Sequence, residues 1–527
     1  MRTAVCVSIL TVLTWIAGCR SETSGAGAPR PTTQPGVSAS PGVRTPVIIY
    51  LIDTLRYDRV GVYGHSGRLT PNIDELARES VVFEHAYTAA PWTLPAVGSL
   101  FTSRFLTEHG LINKYDALPK GITPLGRRLA DAGYRCGVFG WNPFAFKVAN
   151  HDWGYERVAY FDKETEQSGF SDAEHWLEQV AGEAVHLYVH TTEPHDPFVA
   201  PDQWIRRYGA VPHGVRDEVN QLMHAFRQLT KVDFKNKRRP GTTDNTARQQ
   251  AAMHRLAALK PHVLTLYDAH VAWADAHLGE LIDALKRLGL WERSLFVLLS
   301  DHGEAFGEHG GWQHDQSLYE ELTRIPLLIH FPEAAHAGRR VRAPVSMVDV
   351  MPTILHHVGL ARAADDCRGR DLTPLAAARR VQPNAGEPSV VSARINETKY
   401  YGPAQAARGD RNLAMRLGAY KGILNWDLEP PTLELFDLAM DPDELYDRSI
   451  DRPDIALRMR QAAKSWLDEQ RPIERRRDET PMPPKLRRGM KTLGYLDDDE
   501  DEAEPSASQP RGPAPRTPER ETLWRNR

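Results

Sequence analysis

Ser294-Leu-Phe-Val-Leu-Leu-Ser300 runs straight into Asp301-His302-Gly303-Glu304, and the chain is organised around this stretch. Its apolar, β-favouring part reads as a buried strand that stops on an acid, an imidazole and a glycine. In an open α/β sheet, ligands bind just beyond the carboxyl ends of such strands. A carboxylate and a histidine side by side there form a candidate pair of metal ligands, although Asp-His-Gly alone is equally a solvated strand exit. The same grammar occurs earlier and favours the first reading. Thr45-Pro46-Val47-Ile-Ile-Tyr-Leu-Ile52 is another buried strand, and it too ends on a carboxylate, Asp53.

The chain has 527 residues, enough for one large α/β domain and a smaller one. With 41% hydrophobic and 25% charged residues it can bury a sizeable core. A formal charge of -4 with no basic face gives no footing for nucleic acid. Four cysteines are too few for a disulfide scaffold. Met1-Arg2 is a cationic start, and Thr3 to Ile16 is apolar but short for a bilayer span. The run ends in Ile16-Ala17-Gly18-Cys19, which resembles a bacterial lipoprotein signal whose cysteine becomes the lipidated first residue. Arg20 follows, so the aspartate that favours inner-membrane retention in lipoproteins is missing. The expected address is the bacterial cell envelope, lipid-anchored through Cys19, on the periplasmic side or at the outer membrane. Residues 1–19 are then a signal peptide, and 20–44, rich in Pro, Gly, Ser and Thr, a flexible linker. Whether Cys136 and Cys367 pair is open at this level.

Thr70-Pro71 marks a helix start, with Ile73, Leu76 and Ala77 on its apolar face. In Trp92-Thr93-Leu94-Pro95, the proline suits a first helical turn, with the helix running to about Thr102. Thr93 is then either an N-cap or a hydroxyl poised where free N–H groups favour an anion. Strands are expected at Tyr134 to Gly140, Ala184 to His190 and Ile325 to Phe331, and helices at Ala173 to Val180 and Val348 to Gly359. Glu193-Pro194-His195-Asp196-Pro197 is proline-bracketed and must be a shaped loop. Residues 209–261 read as helical pieces broken by an exposed loop around Lys235 to Arg239, a candidate cap. Leu264 to Leu288 keeps helical spacing up to Gly289. Alternating strands and helices over 45–375 argue a large doubly wound mixed sheet flanked by helices. Residues 376–470, with strands at Val390 to Ile395, Ala419 to Asn425 and Leu433 to Leu438 and a helix at Asp454 to Glu469, suggest a small α+β domain. The charged, proline-rich tail 471–527 is expected to be mostly disordered.

Together these stretches resemble the sulfatase family of the alkaline-phosphatase superfamily, over nearly all of residues 45–500. The marks are Ile52-Asp53-Thr54-Leu55-Arg56, Thr70-Pro71-Asn72-Ile73-Asp74, Trp92-Thr93-Leu94-Pro95, Glu193-Pro194-His195-Asp196-Pro197 and Ser300-Asp301-His302-Gly303-Glu304, in that order. The resemblance implies an alkaline-phosphatase-like fold. It also implies one divalent metal ion held by Asp53, Asp301 and His302, with the Thr93 oxygen completing the site. A metal lowers the pKa of a coordinated hydroxyl, so Thr93 can attack. His195 matches a family histidine at the substrate anion or leaving oxygen; His314 and Asn142 are expected in the same zone. A histidine beside two carboxylates suits zinc or manganese ahead of calcium or magnesium.

Two departures shape the expected chemistry. Family members carry Cys or Ser, followed by x-Pro-x-Arg, and oxidise that residue to formylglycine; here the positions are Thr93 and Val97. Threonine cannot become the aldehyde. Trp141-Asn142-Pro143 also stands where a Lys-Trp-His is usual, so the anion site has fewer cations. The expected activity is metal-dependent hydrolysis of sulfate or phosphate esters of a small molecule, glycan or lipid. The alternatives are a phosphoethanolamine-type transferase and a non-catalytic binder of anionic glycan or lipid.

Overall fold

The computed structural model describes residues 44–148, 151–161, 169–230, 243–378, 388–396, 409–470, 475–477, 482–493 and 495–496. The leader with Cys19, the linker up to Val43 and the Lys235 to Arg239 stretch lie outside these residues.

The eight-stranded sheet is built from β1 (Val47–Ile52), β2 (Val81–Phe83), β3 (Arg135–Gly140), β4 (Arg157–Tyr160), β5 (Val185–Thr191), β6 (Leu295–Leu299), β7 (Leu327–His330) and β8 (Arg340–Val341). Their spatial order is β8-β2-β7-β6-β1-β5-β3-β4. β1 pairs in parallel with both β5 and β6, and β3 in parallel with β5 and β4. β7 alone runs antiparallel, against β6 and β2, which makes the sheet mixed as expected. Register sets Leu51 opposite both His190 and Leu299, so β1, β5 and β6 end side by side.

The continuous apolar runs follow from burial on both faces. Val47, Ile49 and Leu51 join one core with Leu295, Val297 and Leu299; Ile48, Tyr50 and Ile52 join a second with Phe296 and Leu298. The first core takes its cover from α2 (Thr93–Thr102), through Leu94, Val97, Leu100 and Phe101. The second is covered by α1 (Pro71–Arg78) and by the long α4 (Thr243–Arg287), through Tyr267, Ala274, Leu278 and Leu285.

Pro261, read from sequence as the end of a segment, lies inside α4. A mid-helix proline costs about 3 kcal/mol, and packing outweighs it here. Leu256, Leu259 and Val263 on either side of Pro261 bury against Val219, Met223 and Phe226 of α3 (Val215–Thr230). The expected helical pieces of the insertion are therefore α3 and the first half of α4.

The small sheet consists of β9 (Pro388–Ile395), β10 (Arg411–Leu417), β11 (Tyr420–Asn425) and β12 (Thr432–Asp437), in that spatial order and antiparallel throughout. The expected strands are present, joined by β10. Helix α5 (Pro453–Glu469) packs Met459 and Ala463 on one face. The sheet joins the rest of the molecule by backbone pairing of Ala393 with Ala89 and by a buried charge cluster. In that cluster Lys421 Nζ lies 3.0 Å from Glu320 and 2.9 Å from Glu444. Burial lifts the Glu444 carboxyl to about 7 even with Lys421 beside it.

Two further findings differ from or complete the sequence reading. Cys136 and Cys367 are both free thiols. The tail expected to be disordered contains α6 (Pro484–Thr492), and Met490, Leu493, Tyr495 and Leu496 enter the first core. Charge and proline content averaged over the tail conceal these few apolar residues.

Removing Lys421 leaves two buried carboxylates facing each other. Lys421→Met is expected to lower stability by about 3–5 kcal/mol, read as a fall in the urea midpoint. A wild-type midpoint would show that the cluster does not hold the small sheet.

Candidate active site

The parallel strands deliver their loops to one edge. β1 ends in Asp53, β6 in Ser300-Asp301-His302, β5 in His190-Thr191, and β3 in Trp141-Asn142. Asp53, Thr93, Asn142, His190, His195, Asp301 and His302 are all 0% exposed, and His314 is 4%. The expected ligands and nucleophile therefore do converge.

The loops after β1 and β6 are stitched together. Thr54 N–H donates to Asp301 Oδ1 at 3.2 Å, Leu55 N–H to Ser300 Oγ at 2.9 Å, and Tyr267 Oη–H to the Thr54 carbonyl at 2.7 Å. This network holds Thr54 at φ 56, a left-handed conformation that a β-branched residue rarely adopts. The turn aims Asp53 across the end of β6.

One oxygen of each carboxylate is occupied and one is left over. Asp301 Oδ1 also accepts from His302 N–H at 2.9 Å, and Asp53 Oδ2 from Asn142 Nδ2 at 2.5 Å. Asp53 Oδ1, Asp301 Oδ2 and His190 Nε2 are buried without any hydrogen-bond partner. Asp53, His190 and Asp301 each offer a ligand atom, and these atoms lie within 4.8 Å of one another. Three converging unsatisfied donors are what a dication needs, and one imidazole with two carboxylates suits a transition metal or zinc. The residues fit the metal that the fold implies.

His302 adds a fourth candidate. Its Nδ1–H donates to the Gly303 carbonyl at 2.8 Å, which leaves Nε2 as the lone-pair nitrogen. Nε2 lies 3.3 Å from Asp301 Oδ2, 3.8 Å from Asp53 Oδ1 and 3.4 Å from Thr93 Oγ1. Thr93 is the first residue of α2, with Pro95 in the first turn as expected.

His190 escaped the sequence reading. On a strand covered on both faces, the alternation His186-Tyr188-His190 against Val185-Leu187-Val189 looks like ordinary core. The pairing of His190 Nδ1 with the Tyr188 hydroxyl at 2.8 Å turns its other nitrogen to the site. Asn142, expected at the substrate, is engaged otherwise. Its amide serves Asp53, and its Oδ1 accepts from Phe144 N–H at 2.8 Å, capping the helix Pro143–Val148. It positions Asp53.

His195 and His314 line the opposite side, with ring centroids 5.2 Å apart. His195 Nδ1 turns to the Asp196 carbonyl, so Nε2 faces inward. His314 Nδ1 lies 3.3 Å from Glu304, and its ring sits 4.6 Å from that of His302. Two nearby guanidinium groups are spent on protein acceptors. Arg56 holds Asp58, Glu308 and the Glu304 carbonyl; Arg227, from α3, holds Asp196 and the Leu493 carbonyl.

Electrostatically the two carboxylates behave as a pair. Burial, then the charge of Asp53, pushes Asp301 well above the carboxylate range. Burial opposes ionisation of Asp53 too, but His190, His195 and His302 around it hold that carboxyl low.

The comparisons with known proteins bear on the family and the fold. The family pattern described as Sulfatase matches residues 45–360, more than half of the chain. The chain belongs to the sulfatase family. A second pattern, described as N-sulphoglucosamine sulphohydrolase, C-terminal, matches residues 307–463. An uncharacterized sulfatase, YidJ, of Escherichia coli is 26% identical over 58% of this chain and 66% of its own length. An N-acetylglucosamine-6-O-sulfatase of Bacteroides thetaiotaomicron is 22% identical over 76% and 82%. Among solved structures, a phosphonate monoester hydrolase of Agrobacterium radiobacter superposes with a TM-score of 0.60 at 19% identity, covering 80% of this chain and 95% of that one. This sulfatase-family protein is an ester hydrolase, with the mixed sheet of its relatives.

Relief of the carboxylate repulsion is measurable. Without metal, Asp301→Asn is expected to melt at or above the wild type. With Mn2+ or Zn2+ at a hundred times its Kd, only the wild type gains, by about 2.7 kcal/mol. Differential scanning calorimetry with chelator and with metal checks both; an equal gain in the variant would move the metal elsewhere.

Proposed function

We propose that this sulfatase-family protein is a metal-dependent hydrolase of esters carrying one negative charge, with Thr93 as the nucleophile. The observation that carries the reading is the Thr93 hydroxyl. It stands at the first turn of a buried helix, 3.4 Å from His302 Nε2, which itself lies 3.3 Å from Asp301 Oδ2 and 3.8 Å from Asp53 Oδ1. Asp53 and Asp301, with His190 or His302, would hold a dication, which when bound would supply charge to activate the hydroxyl and stabilise the transferring group.

The protein's own groups account for the remaining steps. Thr93 Oγ attacks phosphorus or sulfur as the bond to the leaving oxygen breaks in line. With His190 rather than His302 on the metal, Nε2 of His302, 3.4 Å from Thr93 Oγ1, is free to take the Thr93 proton, and the inward nitrogens of His195 and His314 face the leaving side. Water then attacks the Thr93 ester and regenerates the hydroxyl. Threonine lacks the second hydroxyl through which a hydrated aldehyde expels sulfate by elimination. Release must go by attack at the central atom, which favours phosphorus over sulfur.

The charge inventory supports a monoanion. Arg56 and Arg227 are already paired, Val97 replaces an arginine, and burial and Asp196 hold the Glu304 carboxyl high. A dianionic phosphate monoester would meet too few cations. Phosphodiesters and phosphonate monoesters carry one charge, as sulfate esters do. With Cys19 lipidated, the enzyme would act in the cell envelope at the end of the 20–44 linker.

Full-length protein loaded with Mn2+ or Zn2+ should hydrolyse an aryl phosphodiester or phosphonate ester faster than an aryl phosphate monoester or aryl sulfate. Thr93→Ala should cut kcat by about a thousandfold or more, Asp301→Ala comparably, while Thr93→Ser keeps turnover. Wild-type rates in Thr93→Ala would remove the nucleophile assignment. Turnover that needs an added alcohol acceptor would make the enzyme a transferase.

A further inference from the structure

The tail returns to the active site. Both family patterns end before it, at residues 360 and 463. α6 lies on the Pro143–Val148 helix and on β4, and Gly489 makes the close approach possible. A Cβ there would collide with the Tyr160 hydroxyl. Beyond α6 the chain bends back, with Tyr495 N–H donating to the Met490 carbonyl at 2.7 Å. Arg227 Nη1 donates to the Leu493 carbonyl at 2.7 Å and Lys114 Nζ to the Tyr495 carbonyl at 2.9 Å.

The Tyr495 ring, 6% exposed, enters between the two histidines of the leaving side. Its hydroxyl lies 3.4 Å from His195 Nε2 and 3.4 Å from His314 Nε2, and its ring meets Phe144 edge-on at 4.7 Å. Both contacts are long for hydrogen bonds, and the ring is also packed in the core with Phe144. Meanwhile Thr93, Asp53 and Asp301 have no exposed surface at all. A substrate must displace something to reach them. Tyr495 is the side chain standing on the histidine side, and among the described residues its backbone is held by the Met490 carbonyl and by Lys114.

We propose that Tyr495 is a specificity-determining residue of the active site. The strap formed by α6 carries its phenol ring into the leaving-group subsite, and the organic group of the ester must take the ring's place to bring phosphorus or sulfur to Thr93. The subsite thus takes a flat or compact apolar group tipped by an oxygen, the shape of a phenol or short alcohol. This rests on the hydrolase reading for its substrate, but the closure of the site does not depend on turnover.

The test uses the full chain. Peptide-resolved carbethoxylation of His195 and His314 with diethylpyrocarbonate reports access directly. Tyr495→Ala should label both histidines about tenfold faster than wild type, since labelling follows the population of the open form. Tyr495→Phe should stay protected, because the ring and not the hydroxyl seals the site. Gly489→Leu, which lifts α6 off Tyr160, should label faster as well and serves if Tyr495→Ala folds poorly. Against a series of aryl and alkyl diesters, Tyr495→Ala should lower KM most for the bulkiest leaving group with kcat little changed. Equal labelling of wild type, Tyr495→Ala and Gly489→Leu, with native circular dichroism, would overturn the proposal. Faster labelling with no turnover by any variant would leave the strap standing and sink the hydrolase reading instead.

Discussion

Asp53 and Asp301 bring two carboxyl groups into a fully buried space at the ends of neighbouring parallel strands. Two unit charges about 4 Å apart repel by roughly 4 kcal/mol at an effective dielectric near 20. A cation between them would relieve that repulsion, and without one burial and the charge of Asp53 push the Asp301 carboxyl well above the usual carboxylate range. Other features serve this constraint. The left-handed Thr54 aims one carboxylate, Asn142 occupies one oxygen of Asp53, the Thr54 and His302 amides share one oxygen of Asp301, and Asp53, Asp301 and His190 each offer a ligand atom within 4.8 Å of the others.

The same constraint bears on Thr93. A threonine hydroxyl at a helix start is a routine cap elsewhere, but α2 is buried along its whole length and its first residue faces His302. Helix dipole, imidazole lone pair and paired carboxylates therefore act on one oxygen in a dry setting, where each electrostatic effect is larger than in water. The cost of such a setting is access. A site that excludes water also excludes substrate until some side chain moves, and the elements that move are those with few fastenings.

Much of this was legible in the residues. Unbroken apolar strands such as β1 and β6 announce a sheet covered on both sides, and an acid directly after each announces where the site lies. Thr93-Leu94-Pro95 placed the helix start correctly. His190 was not legible, because inside a doubly covered strand a ligand and a core histidine occupy the same kind of position. Asn142 was legible as near the site but not as a support for Asp53, since that depends on the register of β3 against β5. Tyr495 was hidden by the composition around it: a few apolar residues in a charged, proline-rich tail have no periodicity long enough to register.

What the sequence by itself determined is local: which runs are strands, which turns follow them, which residue types can bind a metal, and that a threonine rules out the aldehyde chemistry of its relatives. These depend on neighbours within a few positions, where backbone stereochemistry and side-chain pattern act directly. Tertiary structure alone decided which unsatisfied atoms meet, which cations were already spent, and which distant segment closes the site. Asp53, His190 and Asp301 are far apart along the chain, and Tyr495 farther still. They become neighbours only when the strands pair in register and the tail's apolar side chains find the one core face left open to them.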